Sequence, residues 1–92
     1  MSAVHTIRLR DPWEVRALPD GSNEYRRKFG KPRIDEASES VWLICPEGSR
    51  IHLNGQQIEP VCDVTGLLLP RNEVAIVLNV PLGEVQLEIR SA

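Results

Sequence analysis

The residue types that carry catalysis are present in this chain, but their spacing does not group them into a reactive site. His5 and His52 are far apart, and Cys45 and Cys62 do not form a C-x-x-C pair. Because a structural zinc ion needs four ligands, most often supplied in such pairs, we predict no metal site. The sequence also lacks a glycine-rich phosphate loop, a G-x-S-x-G elbow and an H-E-x-x-H helix motif, which mark common nucleotide-binding, hydrolase and metalloprotease sites.

The acidic residues are numerous but poorly arranged for glycoside hydrolysis. That reaction uses two carboxyl groups held about 5–5.5 Å or 6.5–9.5 Å apart in a cleft. Glu84 and Glu88 fall on the polar phase of one strand, and Asp35, Glu36 and Glu39 lie within a short loop segment. We therefore predict solvated surface charge, no catalytic residues, no cofactor and a protein that is not an enzyme.

Length and composition limit the class of protein. A chain of 92 residues forms a single domain, here with a core spanning about residues 7–89. With 11 basic and 13 acidic residues, the chain has no overall positive field that would attract nucleic acid or an anionic membrane. No apolar run approaches the ~20 residues of a membrane span, and the N-terminal segment has no signal-peptide pattern. We expect no membrane partner and, by default, a cytoplasmic location.

One local cluster of positive charge needs a separate interpretation. Five basic residues fall within eight positions and are interleaved with Tyr25 and Phe29: Arg26, Arg27, Lys28, Lys31 and Arg33. Such interleaving is typical of single-strand nucleic-acid platforms. Here both aromatic residues share one strand face and the acidic segment 35–40 follows, so we predict a solvated strand and no nucleic-acid partner. Arg27 is in phase with the two aromatic residues, so its charged head must leave at a sheet edge or meet a carboxylate.

The elements that would position any site are all strands. Alternating apolar residues recur in TIRLR (6–10), EYRRKFG (24–30), RIHL (50–53), NEVAIVLNV (72–80) and GEVQLEIR (83–90). Turn formers separate these segments, and no stretch of ten or more residues has a 3.6-residue period. The pattern predicts an all-β antiparallel β-sandwich of two facing sheets. The residues expected to line the shared core are Ile7, Leu9, Trp13, Phe29, Val41, Leu43, Leu53, Val64, Ile76, Leu78, Val85, Leu87 and Ile89.

The segment VWLIC (41–45) is apolar on both faces, which is typical of a central or covered strand. Cys45 shares the phase of Val41 and Leu43, so we expect a small, buried and unreactive core thiol, and we expect both cysteines to be reduced. Trp42 falls on the opposite face. Three explanations of an outward tryptophan remain open: a sugar stacks on it, a partner protein buries it, or the N-terminal segment covers it.

Asn54-Gly55 directly follows the strand RIHL and is a leading hairpin signal. The dipeptide accepts the positive φ angles of a type I′ turn, and the alternative is a role in holding a ligand. The turn interpretation predicts that Gly55→Ala lowers the free energy of unfolding by roughly 1 kcal/mol, because alanine is strained at positive φ. It predicts a milder effect of Asn54→Ala.

Five motifs in order resemble a known family. WEV (13–15) and YRRKFGKP (25–32) are followed by LNG (53–55), DVTGLL (63–68) and NEVAI (72–76). This order is similar to the N-terminal sugar-binding domain of family 2 glycoside hydrolases, the β-galactosidase and β-glucuronidase type. The family pattern is a tryptophan strand, Y-R-R-x-F-x-x-P, h-x-LNG, D-I-T-x-x-L and N-x-L-x-h, where h is an apolar residue. The resemblance covers about residues 7–89.

The resemblance implies a galactose-binding-like jelly-roll fold and a non-catalytic module, because the catalytic barrel of those enzymes has no counterpart in these 92 residues. Two functions remain open: a small carbohydrate-binding module, or a protein-interaction or structural β-sandwich that has lost sugar binding. The candidate ligand-binding residues are Trp42, Asn54 and Arg27. The segment between the LNG turn and Asp63, residues 56–62, is shorter than its family counterpart, and an aromatic content of 4% offers few surfaces for sugar stacking.

Overall fold

A computed structural model describes residues 4–91 of the chain as nine β-strands joined by turns and loops. In chain order the strands are β1 (Val4–Arg8), β2 (Glu14–Ala17), β3 (Asn23–Gly30), β4 (Glu39–Ile44), β5 (Arg50–Leu53), β6 (Gln56–Ile58), β7 (Val61–Asp63), β8 (Arg71–Leu78) and β9 (Gln86–Ser91). Within residues 4–91 there is no helix, and hence none that is long and apolar enough to cross a membrane.

The strands form two antiparallel sheets that share one core. One sheet has four strands in the order β1-β9-β4-β7, and the other has five in the order β2-β3-β8-β5-β6. Buried side chains from both sheets belong to a single hydrophobic cluster, as expected where two half-apolar sheets cover each other. The predicted all-β sandwich is therefore confirmed.

Directly paired residues build the core as rows that run across each sheet. In the five-stranded sheet one inward row consists of Val15, Tyr25, Ile76, Ile51 and Ile58. Its central members Ile76 and Ile51 are fully buried, whereas Val15 at the β2 edge is 58% exposed. Burial is therefore complete in the middle of this sheet and lost towards β2.

The predicted core agrees closely with the observed one. Of the thirteen residues expected there, all but Ile7 and Trp13 are buried. These two are half-buried and pack against the core from its margin. Ile7 lies in edge strand β1 and Trp13 directly precedes edge strand β2, so neither has sheet neighbours on both sides. Ile51 and Val74 are fully buried as well, although they were not among the residues predicted to line the core.

Asn54-Gly55 forms the tight turn between β5 and β6. The φ angles are 52° at Asn54 and 83° at Gly55, both in the left-handed region that a type I′ turn requires. Leu53 and Gln56 pair across the turn. The predicted hairpin is confirmed.

The Asn54 side chain also attaches this turn to the start of β8. Its Nδ2 donates to Asn72 Oδ1 at 2.9 Å, and its Oδ1 accepts from the Glu73 backbone N–H at 2.9 Å. The Asn54 backbone N–H donates in turn to the Glu73 carbonyl at 2.9 Å. The sequence indicated the turn but not these contacts, which join residues far apart in the chain.

Asn72 lies at the centre of this junction and is 3% exposed. Its Oδ1 also accepts from the Leu69 N–H at 2.9 Å, and its Nδ2 donates to the Leu69 carbonyl at 2.8 Å and to the Phe29 carbonyl at 3.5 Å. Every hydrogen-bonding position of the amide is therefore used, as burial of a polar group requires. One side chain connects β8 to β3, to the segment before β8 and to the β5–β6 turn.

A second side-chain junction follows β7. Asp63 Oδ1 accepts from the Thr65 N–H at 3.0 Å and from Thr65 Oγ1 at 2.6 Å. Thr65 Oγ1 itself accepts from the Val41 N–H of β4 at 2.9 Å. The turn brings Leu68 into the core, where it is buried. The Asp63 and Thr65 side chains thus cap this turn through bonds to nearby backbone groups.

The hairpin turn gives a first test. We expect Gly55→Ala to lower the free energy of unfolding by about 1 kcal/mol, because no atom lies within 4 Å of the added methyl group and only the positive φ opposes it. Asn54→Ala should cost about 2–4 kcal/mol, since it adds the loss of two side-chain hydrogen bonds, each worth about 0.5–1.5 kcal/mol, to the same strain. The contacts of Asn54 thus reverse the order expected from sequence alone. Urea unfolding measures both changes.

Asn54→Gly is the matched control for this test. It tolerates the positive φ and loses only the side-chain hydrogen bonds, so its cost isolates the junction with Asn72 and Glu73. An Asn54→Gly protein as stable as the unaltered chain would contradict a structural role for the Asn54 amide.

The cysteines give a second test. Both are free, Cys45 is buried, and burial raises the pKa of its thiol to about 12. At about pH 8 Cys45 is therefore a neutral thiol, whereas alkylation requires the thiolate. Cys62 is half-buried in edge strand β7. We expect iodoacetamide to add one group to the folded protein and two to the unfolded protein, as measured by intact mass. Cys62→Ser should remove the adduct on the folded protein, and equal labelling of both thiols before unfolding would contradict the burial of Cys45.

Candidate functional site

The three ligand-binding candidates from the sequence do not form one site. Trp42 lies in the four-stranded sheet, whereas Arg27 and Asn54 belong to the five-stranded sheet and its β5–β6 turn. Arg27 and Asn54 direct their side chains at backbone and amide groups of the protein itself, as the contacts of each show.

Arg27 is a structural residue of the sandwich. It lies on the inward face of β3 between Tyr25 and Phe29, opposite Val74 of β8. Its Nε donates to the Arg10 carbonyl at 2.6 Å and its Nη1 donates to the Lys28 carbonyl at 3.1 Å. The Arg27 guanidinium is thus satisfied by backbone carbonyls and not by the carboxylate that the sequence analysis considered. The bond to Arg10 fixes the segment that connects β1 to β2.

Trp42 faces outward from β4, as its phase predicted, but its own sheet covers it. The Arg90 guanidinium of β9 lies over the indole ring, 4.3 Å from the ring centre, which is a cation–π contact. Arg90 is held there by Glu88 at 2.8 Å, and the indole N–H donates to Ser40 Oγ at 3.2 Å. One face of the ring is thus occupied by Arg90, and not by a sugar, a partner protein or the N-terminal segment, the three explanations that the sequence left open.

Two of the five basic residues in the cluster at 26–33 form ion pairs with carboxylates. Arg26 contacts Glu24 at 2.8 Å and Glu73 at 3.0 Å on the outward face of the five-stranded sheet, and Lys31 contacts Glu36 at 2.7 Å. The hydrogen bond from Arg26 holds the pKa of the Glu24 carboxyl below its ordinary value. These ion pairs favour the interpretation of this strand as a solvated surface.

A groove along the β1–β2 side of the sandwich gathers side chains that could hold a ligand. We call it the edge groove. It has a volume of about 640 Å³, within the range of small-molecule sites. Its apolar lining residues come from the β1–β2 connection, from β2, from β3 and from the β8–β9 connection: Leu9, Trp13, Val15, Tyr25, Leu82 and Val85.

The edge groove exists because the inward face of β2 is not covered by the opposite sheet. Val15 pairs directly with Tyr25 and so points to the same face as the core, yet it is 58% exposed. Trp13 and Leu82 pack against the core beside it without closing the space. Two of the four aromatic side chains of the chain, Trp13 and Tyr25, therefore line one open groove.

Charged groups surround this apolar floor. Arg8, Arg10, Asp11 and Glu84 line the same groove. Arg8 and Glu84 form an ion pair at 3.9 Å with side chains that are 54% and 72% exposed, so the pair is weak and its groups are accessible to a ligand. The lining thus combines two aromatic side chains with charged groups that can donate and accept hydrogen bonds.

A second cleft, of about 850 Å³, includes residues of the opposite edge strands β6 and β7. It is polar, and its lining includes Asp20, Arg50, Gln57 and Asn79 together with Cys62, but no aromatic residue. Hydrogen bonds from Ser22 hold the pKa of the Asp20 carboxyl below its ordinary value. This cleft offers hydrogen-bonding groups without a stacking surface. In the part of the chain that the structure describes, no group of three or more His, Cys, Asp or Glu side chains is placed to hold a metal ion.

Sequence reasoning missed the edge groove because its wall comes from segments that are distant along the chain. The pattern predicted Trp13 as a core residue and placed Tyr25 on the same strand face as Phe29, and nothing local relates either of them to Leu82. The signal that was available is the apolar phase of Trp13 and Val15 on both sides of a charged residue, Glu14.

Comparisons of the chain with protein-family models, with curated proteins and with solved structures gave no match.

Proposed function

We propose that the protein is a non-catalytic carbohydrate-binding module with a galactose-binding-like jelly-roll fold, and that it holds a glycan in the edge groove. The observation that carries this proposal is the placement of Trp13 and Tyr25 in one open groove, beside Asp11 and Glu84. The proposed site therefore contains none of the sequence candidates Trp42, Asn54 and Arg27. It consists of residues that the sequence pattern had assigned to the core, such as Trp13, or to the surface, such as Glu84.

The chemistry of the groove suits a sugar ring. A pyranose presents one apolar face of C–H groups, which packs on an aromatic ring, and a margin of hydroxyl groups that donate and accept hydrogen bonds. Trp13 and Tyr25 offer the packing surface. Asp11 and Glu84 accept hydrogen bonds from hydroxyl groups, and Arg8 and Arg10 donate them, with the added strength of a charged partner.

The resemblance to sugar-binding domains of family 2 glycoside hydrolases supports the fold part of the proposal. The motif residues Asn54, Asp63 and Asn72 hold turns and connections between strands, as contacts within the chain show. Their role in this protein is thus compatible with the motif as a signature of the fold. A ligand site at other positions of the same fold is consistent with that role, since function is set by the site and not by the scaffold.

The second candidate function, a protein-interaction module, is favoured by a different observation. The edge strand β2 has no partner on one side among the described strands, and all four of its residues are exposed. Exposed strand edges add strands of other chains. The two functions predict different ligands and are separated by the following titration.

We expect methyl β-D-galactoside or methyl β-D-glucuronide to bind with a Kd of about 0.1–10 mM, because an open groove buries only part of a monosaccharide. In ¹H–¹⁵N correlation spectra the indole N–H signal of Trp13 should shift with added sugar. The indole signal of Trp42 should not shift, because that ring lies on the other sheet and beneath Arg90. The two indoles thus act as site and internal control in one sample.

Two variants test the site. Trp13→Ala should weaken binding at least about tenfold through the lost stacking surface. Glu84→Gln, at an exposed position that leaves the fold intact, should weaken binding severalfold by removing a charged acceptor. Glu59→Gln in the second cleft is the matched control and should have no effect. Shifts confined to the second cleft, or no shifts at about 50 mM of either sugar, would defeat the proposal.

A further inference from the structure

Strand β2 is an edge of the five-stranded sheet with a free hydrogen-bonding side. Among the described strands it pairs with β3 alone. All of its residues, Glu14–Ala17, are exposed, and Val15 is an apolar residue that is 58% exposed on the inward face. An unpaired edge of this kind presents backbone N–H and C=O groups to which another strand can add.

The backbone groups of Val15 and Ala17 point towards this free side. At the β2–β3 hairpin the Leu18 N–H donates to the Ser22 carbonyl at 2.9 Å. Positions that bond to the partner strand alternate with positions that do not in an antiparallel pair, so positions 16 and 14 are the next to bond to β3. Val15 and Ala17 alternate with these bonded positions along β2. Their N–H and C=O groups are therefore directed away from β3.

We propose that β2 is a self-association surface on which two copies of this chain pair through their β2 strands, antiparallel and centred on Val15. In this register Val15 lies opposite Val15 of the second copy, and the free N–H and C=O groups of the two residues bond reciprocally. The twofold axis is perpendicular to the sheet, so the inward faces of both copies remain on the same side. The two five-stranded sheets become one continuous sheet.

Charge complementarity selects this register. On the outward face Glu14 lies opposite Arg16 of the second copy, and the twofold axis repeats the pair. Opposite charges directly across an antiparallel pair stabilise it, whereas like charges destabilise it. Arg16 lies 3.3 Å from Glu24 of its own chain, yet its side chain is 68% exposed, so the guanidinium is oriented on this face and accessible to a second carboxylate.

The other edge strands do not offer this complementarity. Strand β1 (Val4–Arg8) has no acidic residue, β6 (Gln56–Ile58) has no charged residue, and β7 (Val61–Asp63) has an acidic residue but no basic one. Only in β2, among these four edges, do opposite charges flank an exposed apolar residue at equal distances. Pairing with a second copy is therefore favoured at β2.

The interface is short, so it belongs with weak and transient contacts, and we expect a dimer Kd of about 0.01–1 mM. The inference does not depend on sugar binding. It has a consequence for the edge groove, however, because Val15 lines that groove. Pairing of β2 brings the grooves of the two copies together across the twofold axis.

A charge-swap experiment tests the register. Sedimentation velocity of the full chain at about 0.02–1 mM should show a reversible monomer–dimer equilibrium. Glu14→Arg and Arg16→Glu, each alone, place like charges opposite each other and should raise the dimer Kd at least about tenfold. An equimolar mixture of the two variants restores opposite charges across the axis, so its heterodimer should form with a Kd within about threefold of the unaltered chain's.

A pair of proline substitutions tests the strand edge itself. Val15→Pro removes the outward N–H that the dimer uses and should abolish association. Val61→Pro is the matched control. Val61 is 52% exposed in edge strand β7, and its N–H also points outward, because the flanking Pro60 carbonyl and Val64 N–H bond to β4. Proline is tolerated at such edge positions, and Val61→Pro should leave the dimer Kd unchanged.

Thermal unfolding and ¹H–¹⁵N spectra of each variant establish that it is folded. A chain that stays monomeric up to about 1 mM overturns the proposal, since that is the weak end of specific association. Equal weakening by Val15→Pro and Val61→Pro, or a mixture of Glu14→Arg and Arg16→Glu chains that fails to associate, overturns it as well. The sugar titration is read separately, so failure of one proposal leaves the other standing.

Discussion

The buried amide of Asn72 is the constraint on which the arrangement of the sandwich depends. A side-chain amide removed from water destabilises the fold unless each of its hydrogen-bonding positions has a partner. Asn72 finds its partners in β3, in the segment before β8 and in the β5–β6 turn. It does so at the point where the chain passes from β7 in one sheet to β8 in the other. These segments must therefore arrive together, which makes the junction cooperative.

Strand β2 lies at an edge of the larger sheet, and its inward face is open to solvent at Val15. No strand within residues 4–91 covers the inward face of β2, so Val15 and Tyr25 form the floor of a groove and not the centre of a core. Arg27 supports one wall of this groove, because its hydrogen bond to the Arg10 carbonyl fixes the β1–β2 connection that forms the wall. The β2 backbone is open for a separate reason: among the described strands only β3 pairs with it, so its other lateral edge is free. Groove and edge thus adjoin the same strand but have different causes.

Local sequence patterns were enough to predict six of the nine strands (β1, β3, β4, β5, β8 and β9), the two-layer all-β core and the Asn54-Gly55 turn, because the pattern of each strand and the turn depends on residues within a few positions of one another. The short strands β6 and β7 have too few residues for alternation to mark them. Alternation placed Trp42 outward correctly, since phase decides which face of a sheet a side chain takes. It could not show that Arg90 covers that ring or that Arg27 bonds to Arg10. Those contacts depend on which strands become neighbours, and a period of two carries no information about pairing order.

The position of β2 also affects how protection against hydrogen exchange is distributed. Strand β8 lies between β3 and β5 and carries fully buried residues, so its amide protons exchange with solvent only when much of the sandwich opens. Strand β2, bonded on one side and exposed throughout, can fray while the rest stays closed. Any molecule that occupies the groove or the free edge adds its binding energy to a strand that can open locally. Occupancy therefore slows exchange of the β2 amides by suppressing this local opening. It also slows exchange of the β8 amides, because the opening that exposes them destroys the site as well.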